Sequence, residues 1–145
     1  MSDMRARIKE ALEEFDMHFF NDRLETFKDW PFQENCECTP EKLAAAGFVY
    51  CGTENEPDLV KCYVCLKELD GWEPEDDPWK EHVGHSGACP FLKYENIMGI
   101  TLKEFCELEK ARMMNHCMKG IKHSKAEWSE KRDEIQEKIF GKQKQ

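Results

Sequence analysis

No apolar run in this 145-residue chain approaches the ~20 residues needed to cross a bilayer, and mean hydropathy is −0.78. The opening stretch Met1-Ser2-Asp3-Met4-Arg5 lacks the apolar core of a signal peptide, so the expectation is a soluble, intracellular protein. A second Cys/His cluster of RING type is missing after Cys89, which argues against a ubiquitin ligase, the most plausible enzymatic reading. Basic charge is scarce where a phosphate backbone would need it. Residues 23–92 carry 6 Lys/Arg against 15 Asp/Glu, which disfavours nucleic acid and suits cationic tails or plain solubility. At this length one hydrophobic core is expected.

What is present in excess is cysteine, eight in all. In a reducing compartment clustered Cys and His hold metal more often than they form disulfides. Residues 62–89 read C-x2-C-x16-H-x6-C, in which Cys62 and Cys65 can share one tight turn. His82 and Cys89 can return from a following helix to complete a Cys3His tetrahedron, with His85 as a rival ligand three residues on. Four protein ligands leave no open coordination position, so a single structural Zn2+ is expected rather than a catalytic one. Cys36, Cys38, Cys51, Cys106 and Cys117 follow no partner pattern and read as small core or surface residues.

Thr39, Pro40 and Glu41 form an N-cap, first-turn proline and acidic first turn, and Gly47 suits a stop, so 40–46 reads as a short helix. Phe48-Val49-Tyr50 and Lys61-Cys62-Tyr63-Val64 read as strands around a turn region from Gly52 to Asp58. Pro78 can open a second helix carrying His82. Thr39-Pro40 also has the form of a proline-directed phosphorylation site, although the cap explains the pair.

Thr101-Leu102-Lys103-Glu104 has capping-box spacing, with Ile100 and Phe105 placed as a hydrophobic staple. No proline interrupts Leu102 to Phe140 and Gly120 is the one weak point, so a helix of nearly ~60 Å is expected. Met114, Ile121, Trp128 and Ile135 recur every seven residues, with Cys117, Met118 and Ile139 beside them. This is a coiled-coil type seam, interrupted by Ser124 and Lys131, and suits partner helices better than a strong self-contained coil. At the other end Met4, Ile8, Leu12, Phe15 and Phe19 are spaced as one face of an amphipathic helix expected to dock on the domain.

The stretch Arg23 to Leu92 resembles the baculoviral inhibitor-of-apoptosis repeat, or BIR. The resemblance is carried by Arg23, Thr26-Phe27-Lys28 with Trp30-Pro31, Thr39 to Ala44, Ala46-Gly47-Phe48, Thr53 to Asp58, the four ligands, Gly71-Trp72-Glu73-Pro74, and Asp76-Asp77-Pro78 leading into Glu81-His82. It implies an α+β fold, a small zinc-bound BIR unit with a short three-stranded sheet and short helices, followed here by one long C-terminal helix. The expected divisions are an N-terminal helical extension at 1–22, the zinc domain at 23–92, a linker and dimer segment at 93–101, and the helix at 102–141.

Members of the family hold the free N-terminus of a peptide that begins with alanine. By position, Leu69 and Trp72 would shape the pocket, and Asp70 and Asp76 would meet the ammonium; Asp70 stands where related members more often carry Glu. In members with this layout the groove reads a histone tail bearing a phosphothreonine, so Lys67 and His85 would face the phosphate and Glu56 the arginine. The charges suit those groups. The same resemblance implies a non-enzymatic adaptor of the chromosomal passenger complex, binding helices of borealin and the inner centromere protein and, indirectly, Aurora B kinase. It implies a homodimer when free, through Phe15, Tyr94, Ile97, Met98, Ile100 and Leu102. The implied location is nucleus and cytoplasm, and in mitosis the centromere and spindle midzone. The alternative function is inhibition of apoptosis by acting on caspases or their antagonists with amino-terminal alanine.

Overall fold

The computed structural model describes residues 4–95 and 97–141, apart from the side chains of Met4 and Phe140. In chain order it contains α1 (Met4–Glu13), a 3-10 turn (Glu14–His18), α2 (Phe20–Glu25), α3 (Pro40–Ala45), β1 (Phe48–Tyr50), β2 (Val60–Cys62), β3 (Glu68–Leu69), α4 (Pro78–Ser86) and α5 (Leu102–Phe140). The strands form one antiparallel sheet in the order β1-β2-β3. None of the described helices is long and apolar enough to cross a membrane.

Local signals account for most element ends. The Thr39 side chain accepts the Lys42 N–H at the start of α3, and Asp77 accepts the Trp79 and Lys80 N–H groups at the start of α4, each with proline in first place. Gly47 ends α3 at φ +89°, and the Phe91 ring lies 2.8 Å from where a Cβ would stand, so both conformation and space demand glycine there. At α5 the Thr101–Glu104 capping box is complete.

The second strand begins one residue before the expected Lys61 and ends at Cys62 rather than Val64. Its pairs are Phe48 with Cys62 and Val60 with Leu69. Tyr63 to Leu66 instead form a tight turn in which Leu66 takes φ +62° and its N–H bonds to the Cys62 carbonyl at 3.0 Å. The β-prone composition of Tyr63-Val64 yields to the requirement that Cys62 and Cys65 converge.

The core gathers Phe27, Trp30, Leu43, Phe48, Val60, Tyr63, Val64, Trp72 and Phe91, with Leu108 closing it from α5. Arg23 is buried among them. It donates to the carbonyls of Ala44 (2.8 Å), Met17 (2.8 Å) and His18 (3.0 Å), and its guanidinium lies 5.1 Å from the Tyr63 ring centroid. One charged side chain thereby ties α2, α3 and the 3-10 turn together.

The N-terminal segment corrects the expected amphipathic face. Helix α1 ends at Glu13, so Phe15 and Phe19 fall out of helical register with it; Ile8, Leu12 and Phe19 stay exposed, and the Met4 side chain lies outside the described residues. The side applied to α5 is Arg7, Ala11 and, one turn on, Glu14. The reason lies in the facing helix, whose buried line is Leu108, Arg112, His116 and Gly120, mostly polar or small. Beyond Gly120 the side chains of α5 are largely exposed.

Candidate metal centre and peptide cleft

Cys62 and Cys65 flank the tight turn after β2, His82 lies on α4, and Cys89 follows it. Their four ligand atoms all lie within 4.8 Å of one another, the one such cluster among the described residues. The Cys62 and Cys89 sulfurs are 3.9 Å apart, and Cys65 Sγ is 3.7 Å from His82 Nε2. With zinc–sulfur near 2.3 Å and zinc–nitrogen near 2.0 Å, a tetrahedron has edges of about 3.8 and 3.5 Å, so the geometry fits the ion. His82 Nδ1 faces the Ala46 carbonyl at 2.7 Å, which leaves Nε2 to the metal side, and the Val64 N–H and Ser86 hydroxyl donate to the sulfurs of Cys62 and Cys65. Burial pushes the Cys62 thiol well above its ordinary range, so a cation is what would make a thiolate tolerable there. All eight cysteines are free of disulfides. His85, the rival by spacing, stands outside the cluster, half exposed and 3.4 Å from Glu81.

A separate cleft of about 330 Å³ opens between β3, the loop after it and α4. Six of the seven expected peptide residues line it: Lys67, Leu69, Asp70, Trp72, Asp76 and His85. Gly71, at φ +72°, turns the chain so that Asp70 and Trp72 face one space. Asp58 accepts the Trp72 N–H and Asp76 the Glu73 N–H, both at 2.8 Å, so the loop is braced where it passes Trp72. Trp72 is both core and wall: its ring meets Trp30 and Phe48 edge-on, while its buried indole N–H has no hydrogen-bond partner.

The seventh residue, Glu56, does not line the cleft. It is exposed in the turn between β1 and β2, where its N–H bonds to the Thr53 hydroxyl. Two acids not expected in the cleft from the sequence, Glu68 and Glu81, do line it. Glu81 was findable, being four residues before His85 on the same helix, where side chains meet. With four carboxylates against Lys67 and His85, the cleft favours a cationic ligand end.

The other expected surfaces are distributed differently. Phe15, Ile97, Met98, Ile100 and Leu102 line one apolar groove with His18, Phe19, Thr101 and Phe105, whereas Tyr94 packs against the core. On α5, Met114, Met118, Ile121, Trp128, Ile135 and Ile139 are exposed large apolar side chains, and Cys117 is half-buried.

Comparison with known proteins agrees with this geometry. The Inhibitor of Apoptosis domain, BIR, matches residues 23–93. Baculoviral IAP repeat-containing protein 5 of Rattus norvegicus is 45% identical over 124 residues, 85% of this chain and 87% of the relative. The Mus musculus protein of the same name is 47% identical over 115 residues, 79% and 82% of the two chains. Baculoviral IAP repeat-containing protein 5.1 of Xenopus tropicalis is 52% identical over 106 residues, 72% and 66%.

Proposed function

The chain belongs to the BIR inhibitor-of-apoptosis family and is survivin-like, and from that premise we propose that it is a non-enzymatic adaptor of the chromosomal passenger complex. Its cleft takes the free N-terminus of a histone tail carrying phosphothreonine, and the exposed α5 seam takes helices of borealin and the inner centromere protein. Aurora B kinase is thereby localised to chromosomes in the nucleus, and later to the spindle midzone.

The observation that carries the reading is the convergence of Lys67, Leu69, Asp70, Trp72, Asp76 and His85 on one cleft. Carboxylates at Asp70 and Asp76 meet the ammonium, Leu69 and Trp72 enclose a methyl-sized side chain, and Lys67 and His85 supply donors to a phosphate. Glu81, 3.4 Å from His85 Nε2, steadies the ring on the cleft side of the helix. Zinc, held by Cys62, Cys65, His82 and Cys89, keeps the turn that presents Lys67. The free protein dimerises through the groove containing Phe15, Ile97, Met98, Ile100 and Leu102.

The test is calorimetric titration with Ala-Arg-Thr-Lys peptides that are unmodified, phosphorylated on threonine, or acetylated at the N-terminus. Binding restricted to the phosphorylated peptide with a free amine supports the chromatin reading. Equal binding with and without phosphate moves the cleft to amino-terminal alanine in general, and so to apoptosis inhibition through caspase antagonists; no binding removes the peptide role.

A further inference from the structure

The N-terminal helix sits on α5 by its least sticky side. Its buried contact is Ala11, whose carbonyl accepts Arg112 Nη2 at 2.8 Å, with the Arg7 stem laid against Gly120, 3.3 Å from where a Cβ would project. The apolar residues Ile8 and Leu12 are left 41% and 60% exposed, so little apolar area secures the docking. Arg112 Nη1, buried at this junction, has no hydrogen-bond partner, which weakens the contact further.

The same contact overlaps the partner seam. Arg7 lines a groove of about 180 Å³ together with Cys117, Ile121, Lys125 and Trp128. A helix laid along the seam to cover Ile121 and Trp128 needs the space that Arg7 occupies. Lys125 lines the same groove, so a carboxylate arriving beside an apolar ridge meets opposite charge there, whereas the Arg7 it replaces is paired with Glu10 on α1 at 3.3 Å.

We propose that α1 is a displaceable internal occupant of the α5 seam: a partner helix with apolar residues at heptad spacing and flanking carboxylates binds by lifting α1 off Gly120. Partner capture and α1 docking are then mutually exclusive, and the face bearing Ile8 and Leu12 is released when the partner arrives. The proposal rests on the seam being a helix-binding surface, as proposed above.

The experiment uses the full chain, its Ala11→Lys variant, which sets a cation against Arg112, and a Trp128→Ala control, with coexpressed helical segments of borealin and the inner centromere protein as the probe. Hydrogen exchange over residues 5–13 and probe affinity are read together. Expected are a loss of α1 protection when the probe binds wild type, about tenfold tighter binding to Ala11→Lys, and loss of binding in Trp128→Ala. Probe binding with α1 protection unchanged and equal affinity for Ala11→Lys overturns the proposal while leaving the seam intact. Failure of the probe to bind even Ala11→Lys, in a variant whose zinc content shows it folded, removes the seam reading and this proposal with it.

Discussion

His18 and Glu109, 91 positions apart in sequence, meet at 2.6 Å between the N-terminal 3-10 turn and the long helix. The pair is the centre of a buried polar junction. His18 Nδ1 lies 3.2 Å from the Tyr63 hydroxyl, and Glu109 takes Arg112 by two hydrogen bonds, of 2.6 and 2.8 Å. One turn away Glu14 bridges Lys61 on β2 (3.1 Å) and His116 on α5 (3.4 Å). The start of the long helix is therefore fixed to the zinc domain by buried charged groups as well as by Leu108.

That junction makes the N-terminal docking sensitive to acid. Burial opposes the charge on Glu14, but His116 and Lys61 outweigh it and hold the carboxyl down to about 2, from an ordinary 4.5. Burial also lowers His18, against the pull of Glu109. Both groups have depressed folded values, so their stability is present above the unfolded values and is lost as pH falls. His18 begins to matter below about 6.5, and Glu14 between about 4.5 and 2. Glu14→Gln should destabilise the protein at pH 7 by on the order of 2 kcal/mol. It should also flatten the acid limb of the urea-midpoint profile; an unchanged limb would show that Glu14 does not carry it.

Metal content follows from the ligand geometry. Purified protein is expected to hold one zinc per chain, and Cys62→Ser or a strong chelator should abolish the cooperative thermal transition of the zinc domain. The α5 helical signal should decline less, since the described side chains of its distal half are largely exposed. Metal analysis with far- and near-ultraviolet dichroism checks both parts.

Arg23 anchors three carbonyls in a buried setting, so Arg23→Met should cost about 3 to 5 kcal/mol in urea unfolding. Arg23→Lys should recover little of this, because an ammonium cannot reproduce the planar fork that serves carbonyls of two separate elements.

Gly47→Ala would combine a left-handed backbone with a Cβ driven into the Phe91 ring. The expected loss is at least ~2 kcal/mol, measured by thermal or urea denaturation. Gly71→Ala has open space around its Cβ and should cost about 1 kcal/mol, from backbone strain alone.

In the peptide cleft, Asp70→Ala should weaken phosphopeptide binding about tenfold, and Asp70→Glu should match or exceed wild type by extending the carboxylate's reach. Lys67→Ala with His85→Ala should erase the preference for phosphate without unfolding the domain, since both side chains are exposed. Retained preference in that double variant would move the phosphate elsewhere.

Features whose physics is local are legible in the chain alone. The ligand spacing of Cys62, Cys65, His82 and Cys89, the caps at Thr39 and Thr101, the stop at Gly47 and the heptad repeat of α5 depend on residues a few positions apart. Each could therefore be read from composition and spacing. Most of the cleft was legible through family resemblance, which placed Trp72, Asp76 and His85 before any contact was seen. What lies between distant segments depends on how the whole chain packs. It buried Arg23, His18, Arg112 and His116, which a hydrophobic pattern assigns to solvent, because their partners come from other elements. It also turned α1 so that Arg7 and Ala11, not Ile8 and Leu12, meet the long helix. A helix face is chosen by what it must fit, and the polar, glycine-relieved side of α5 fits small and charged residues better than leucine and isoleucine.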